Sequence, residues 1–160
     1  MKFLIIIFSF SIGFIIFMPK ENLFFTLQKE LSKQNIYIDT KIKNNLFTLN
    51  LKNSHIFVNG INIANIKQTS VLALLLFNKI DIHNININFN NLKIKTLYIQ
   101  YSILNPLKID INGISNFANI KGDIDLKTNT LKVYLLNLTN NPIKSFLHRD
   151  QKGYFYVQKF

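Results

Sequence analysis

The 160-residue sequence has no cysteine. That excludes disulfides, thiolate metal sites and a lipoprotein acyl anchor. Glycine occurs only five times and proline three times, and Arg149 is the single arginine. Neither a P-loop nor a nucleophile elbow can be spelled from these glycines. Acidic residues are few: eight Asp and Glu face 19 Lys and Arg, for a net charge of +11. The lysines are spread along the chain, which favours solubility and contact with anionic lipid headgroups over a single basic patch. What the sequence does have is isoleucine (26) and asparagine (23). Together with the excess of lysine over arginine, this is the bias of an AT-rich bacterial genome, so the asparagine count carries little functional information. With 48% hydrophobic residues, one domain can build a core without cross-links.

The first apolar run is Phe3–Met18, sixteen residues without charge. It contains Phe3, Leu4, Ile5, Ile6, Ile7, Phe8, Phe10, Ile12, Phe14, Ile15, Ile16 and Phe17. It ends at Met18-Pro19-Lys20-Glu21 with no small-x-small cleavage site, so it reads as an uncleaved anchor rather than a signal peptide. Its length as a helix is about 24 Å, short of a ~30 Å hydrocarbon layer, and Lys2 and Lys20 can snorkel to cover the difference. Residues 1–20 are therefore expected to anchor the chain in a bacterial inner membrane, single-pass. Residues 21–35 follow as an amphipathic linker helix, with Leu23, Leu27 and Leu31 on one face. Residues 36–160 form the periplasmic β-domain.

From Ile36 onward, apolar and polar residues alternate, and turn signals separate the runs. Period two places one greasy and one wet face on each strand. Asn59-Gly60 is the strongest hairpin signal, because a type I′ turn needs positive φ at both positions. The stretch Gly60–Phe89 organises the rest, reading strand, apolar segment, strand. Ser70–Phe77 breaks the alternation, contains good helix formers, and follows a capping Thr69-Ser70. It is expected to be a two-turn helix on the greasy face, with a buried central strand as the alternative. A further short helix is expected after Pro142, and a last strand at 153–160. The expected fold is mainly β: an N-terminal transmembrane helix plus a curved, mostly antiparallel meandering sheet, with a few short helices on its apolar face. The candidate apolar face is Ile61, Ile63, Leu72, Leu75, Leu76, Ile85, Ile87 and Phe89.

Little in the chain suggests catalysis. Asp81 and His83 are neighbours on one strand face, yet a zinc site lacks a third ligand. Asp123 and Asp125, flanked by Lys121 and Lys127, read as a cross-strand ion-pair ladder rather than an acid–base pair. Ser54 beside His55 is no triad. The tyrosines Tyr98, Tyr101, Tyr134, Tyr154 and Tyr156 could stack on bases, but no arginine-rich groove accompanies them. No cofactor, no metal and no nucleic-acid partner is expected.

The pattern at 60–87, behind an N-terminal anchor, resembles the repeat of AsmA-like envelope proteins. Tyr101-Ser102-Ile103-Leu104-Asn105-Pro106-Leu107, Asn116-Phe117, Gly122-Asp123-Ile124-Asp125-Leu126 and Gly153-Tyr154-Phe155-Tyr156 before Phe160 are similar to the type II secretion system protein N family. The resemblance implies a curved periplasmic β-domain tethered to the inner membrane, with no catalytic residues. Two functions follow as expectations. One is a non-enzymatic scaffold subunit of an envelope machine, either type II secretion-like or a flagellar motor accessory, whose partners are the membrane and other envelope proteins. The other is an AsmA-like module that binds or transfers phospholipid.

Overall fold

The computed structural model describes residues 20–74, 76–89, 92–139 and 142–160; the expected anchor, residues 1–20, lies outside them except for Lys20, and so does Leu75. Helix α1, Lys20–Ser32, comes first. Ten strands follow: β1 Ile36–Asn44, β2 Thr48–Val58, β3 Ile61–Ala73, β4 Phe77–Ile87, β5 Leu92–Ser102, β6 Lys108–Ser115, β7 Asn119–Asp125, β8 Thr130–Leu136, β9 His148–Asp150 and β10 Gly153–Lys159. They form one antiparallel sheet in the order β1-β2-β3-β4-β5-β6-β7-β8-β10-β9. From β1 to β8 the strands meander, as short turns require; the longer connection after β8 carries the chain past the place of β10, so β9 forms the edge. Among the described residues no helix is long and apolar enough to cross a membrane.

The expected helix at Ser70–Phe77 is not there. Ser70–Ala73 extends β3, and β4 begins at Phe77. Val71 stands between Leu49 of β2 and Ile80 of β4 in the central ladder. A strand paired on both edges and packed on one face overrides helix propensity, which is worth only tenths of a kcal/mol per residue. The turn is closed by the Leu74 amide, which donates to the Phe77 carbonyl at 3.1 Å and to Asn78 Oδ1 at 3.0 Å. The segment after Pro142 is a single 3-10 turn, Pro142–Phe146, and His148 already belongs to β9.

The sheet's alternation slips in four adjacent strands. Leu51 and Ser54, Ile66 and Thr69, Ile82 and Ile85, and Ile94 and Leu97 are three apart, yet all lie on the same apolar face in register. Two residues sit between each pair: Lys52-Asn53, Lys67-Gln68, His83-Asn84 and Lys95-Thr96. The slips line up across β2–β5, so all four strands reset their alternation at the same level with no shift of register between partners there. Asn53 and Asn84 take φ of 50° and 54°. Asparagine tolerates this left-handed conformation better than other side chains. At the Asn59-Gly60 turn, φ values of 50° and 80° fit the expected hairpin. On β7, a Cβ at Gly122 would sit 2.5 Å from the Lys132 carbonyl oxygen, so only glycine lets β7 and β8 approach so closely there.

Two clusters cover the apolar face at its ends. Near the N-terminus, Phe24 of α1 packs on Leu49 and Leu51, with Ile38, Ile42 and Val71 around them. Near the C-terminus, Phe117 and Ala118 of the β6–β7 turn fold onto Leu92, Ile120 and Leu135, and Leu138, Ile143 and Leu147 complete the cover.

Candidate functional site: an apolar groove beside helix α1

Between α1 and the sheet lies a groove of about 370 Å³. Its floor is the apolar face of β1–β4, including Ile38, Leu51, Ile56, Ile66, Val71, Ile80 and Ile82, and Leu23, Phe24 and Leu27 of α1 form its wall. The sequence folds this way because each strand offers an aliphatic side chain every second residue and resumes the pattern after its slip. The groove's size is that of small-molecule sites, which are typically apolar with a few placed polar groups.

The polar groups here are Lys20, Ser54 and Thr69. Lys20 is 4% exposed, and its Nζ donates to the Leu46 carbonyl at 2.9 Å. The ammonium thus sits at one mouth of the groove, where α1 begins. Ser54 is buried and shares a 2.7 Å hydrogen bond with Thr40. His55 lies on the other face, where its Nδ1 is 2.6 Å from Asn65 Oδ1. Ser54 and His55 therefore cannot act together.

The seven described residues of the candidate apolar face scatter. Ile85 is buried in it and Ile87 packs against the C-terminal cluster. Leu72 is in register with Thr48 and Lys79 and belongs to the polar face. Ile61, Ile63, Leu76 and Phe89 are exposed at strand ends and turns. Assigning faces from Ser70–Phe77 as a helix failed because Ser70–Ala73 continues β3 and Phe77 opens β4. The groove residues Ile66, Val71, Ile80 and Ile82 were missed. Two consecutive polar residues between apolar positions, repeated in four strands, were the signal that would have found them.

The polar face carries the charge unevenly. Strands β1–β5 hold Lys41, Lys43, Lys52, Lys67, Lys79, Lys93 and Lys95 against Asp39 and Asp81. Strands β6–β8 hold Lys108, Lys121 and Lys132 against Asp110, Asp123 and Asp125. What is spread along the chain is thus gathered by the sheet, with Lys41 and Lys52 directly opposite each other. The expected ladder around Asp123 does not form. In register, Asp123 faces Asp110 on one side and Lys132 on the other, and the ion pairs among the described residues are Glu30–Lys33 and Lys79–Asp81. Lys79 Nζ is 2.9 Å from Asp81 Oδ1 but off the hydrogen-bond direction, so that contact is Coulombic. Asp125 instead caps its turn: the amides of Thr128 and Lys127 hold its carboxyl below the ordinary value. Lys132 is pushed up, first by Tyr134, and its Nζ lies 4.8 Å from the ring centres of both Tyr134 and Phe155. Such clusters hold strands together and present no reacting pair. Among the described residues, no three His, Asp or Glu side chains come together as a metal site would require.

No protein-family model, curated protein or solved structure matches this chain.

Proposed function

We propose that this is a non-enzymatic, inner-membrane-anchored envelope protein whose curved periplasmic sheet holds the acyl chain of a phospholipid in the groove beside α1. One observation carries the reading: the groove is almost wholly apolar, and its one lysine, Lys20, lies at the end where α1 begins. Acyl methylenes gain from leaving water by about 0.8 kcal/mol each, and an anionic headgroup suits a mouth with a lysine. The resemblance to AsmA-like proteins supports the same reading. About 43 Å of sheet width, from ten strands at ~4.8 Å, is too little to cross a periplasm alone, so the protein acts as one link or holds lipid in place.

The test is lipid content. The full chain, purified from bacterial membranes in mild detergent, is analysed by native mass spectrometry against Ala73→Phe, which fills the groove at its floor. Wild type is expected to retain about one phospholipid per chain and the variant markedly less, with unchanged circular dichroism. Equal lipid in both rejects the groove as the site. A second reading, a scaffold subunit of a secretion-like or flagellar machine, is favoured by β1. Among the described residues its nine residues pair with β2 alone, and an edge strand can accept a strand from another protein.

A further inference from the structure

In a meander the turns alternate between two rims of the sheet. One rim holds the β1–β2, β3–β4, β5–β6 and β7–β8 turns and the end of β10. Its exposed side chains are Leu46 and Phe47, then Leu76, then Ile103, Leu104 and Leu107, then Leu126, and finally Phe160. Leu104 is 93% exposed and Leu76 60%. These tips are joined to one another. The Ile103 amide donates to the Leu76 carbonyl, the Leu126 amide to the Leu107 carbonyl, and the Phe160 amide to the Asn129 carbonyl, at 2.9 to 3.0 Å. Lys20 bonds to Leu46 on the same rim, so α1 starts there, directly after the uncharged run Phe3–Met18. Each tip has a lysine within three residues: Lys43, Lys79, Lys108, Lys127 and Lys159.

The opposite rim differs. It exposes Ile61, Ile63, Phe89 and Phe146, but the β2–β3, β4–β5 and β6–β7 turns carry no lysine and begin with asparagine, at Asn59, Asn88 and Asn116; its lysines, Lys33, Lys144 and Lys152, lie in the α1–β1, β8–β9 and β9–β10 connections. The side chains of Asn62, Asn65 and Asn88 hydrogen-bond one another near it.

Apolar tips with flanking lysines are the pattern of a surface that lies in a membrane interface, with side chains among the acyl ends and ammonium groups at the phosphates. We infer that the Leu46–Leu76–Leu104–Leu126 rim sits in the lipid–water interface of the bilayer that the chain is anchored to. The occupant is the bilayer because charge and apolarity match it, and because the apolar segment joined at Lys20 brings this rim to it. The groove floor reaches Ala73 and Lys20 at this rim, so its mouth opens at the bilayer surface. The inference shares the anchor with the proposed function but does not need the groove to hold lipid.

The absence of cysteine makes the test clean. Leu104→Cys and Asn59→Cys, each in the full chain, are labelled with an environment-sensitive dye and reconstituted into phosphatidylcholine–phosphatidylglycerol vesicles carrying a lipid-borne quencher. Residue 104 is expected to shift to the blue and lose fluorescence; residue 59 is expected to do neither. Leu76→Ser combined with Leu107→Ser, both exposed and so harmless to the fold, is expected to reduce quenching at 104. Vesicle-bound chains with equal quenching at both positions, or none at either, overturn the rim inference and leave the groove reading standing. Chains that fail to float with the vesicles overturn both. Quenching at 104 in chains that carry no lipid in the native mass spectrum supports the rim and rejects the cargo.

Discussion

The two ends of the apolar face are covered by different means. At the C-terminal end the cover is continuous with the sheet. The β6–β7 turn folds Phe117 and Ala118 inward, Ser115 Oγ binds the Ala118 amide at 2.8 Å and its carbonyl at 2.6 Å, and Thr139 donates to the Phe117 carbonyl. At the N-terminal end the cover is a separate helix. It buries Phe24 but leaves Phe25 and Leu27 exposed and a groove open beneath it. Both ends hold buried clusters, but the first closes over the sheet and the second leaves a groove beside it. On the proposed reading the closed end serves stability and the open end holds lipid under α1 as a lid.

That contrast is most directly broken by paired truncations. Phe117→Ala removes a ring 6% exposed from the tied core, and the expected loss is about 3–5 kcal/mol in urea unfolding. Phe24→Ala removes a ring just as buried, at 7%, but from beside a groove that can relax. A loss of roughly 2 kcal/mol is expected, together with changed lipid occupancy that Phe117→Ala does not show. If the two losses are equal, or Phe24→Ala costs more, α1 is part of the core and not a lid.

How much of this was legible follows from particular residues. Alternation from Ile36 onward gave the strands, Asn59-Gly60 gave the hairpin, and Leu23, Leu27 and Leu31 gave α1. The stretch Ser70–Phe77 misled because local spacing carries no information about neighbours on both sides. Only the ladder to Leu49 and Ile80 makes Val71 a strand residue. The groove was illegible for the same reason: its floor is contributed by four strands and its wall by a helix, and spacing within one segment never reports which segments meet. Asparagine was undervalued. With five glycines available, the chain uses Asn35, Asn53, Asn59, Asn84, Asn129 and Asn137 at positive φ, so composition that reflects genome bias also supplies the turns and slips.

The row of slips sharpens the comparison, because it crosses β2–β5 and runs under the groove, whose lining lies on both sides of it. Asn84 is exposed at the slip, with φ of 54°. Asn84→Gly should leave stability nearly unchanged, since glycine adopts this conformation without strain. Asn84→Ala should cost about 1–2 kcal/mol, the penalty of an L side chain held left-handed. Equal unfolding midpoints for the two variants would show that the slip tolerates another conformation and that the register across β3–β5 is not fixed by it.

The smallest expected effect is an acid one, and it falls on the C-terminal half. Asp125 is held below its ordinary value by the amides of Thr128 and Lys127. Asp150 is also low: burial pushes it up, but the Tyr134 hydroxyl at 2.9 Å, the amides of Lys152 and Gly153 and the charge of Lys132 outweigh that. A carboxyl lowered in the folded state contributes stability that is complete above its unfolded value, near 3.8, and is lost as pH falls through the folded one. Asp150 is exposed and Asp125 half-buried, so screening keeps the effect modest. The unfolding midpoint should therefore be flat from pH 7 to about 5 and decline below about 4. Hydrogen exchange should quicken first in the β7–β8 and β9–β10 turns, while the amides of β2 and β3 keep their protection. Asp125→Asn with Asp150→Asn should flatten that decline. An acid loss that begins instead in β1–β3 would place the pH-sensitive contact under the α1 lid and reverse the assignment of the two halves.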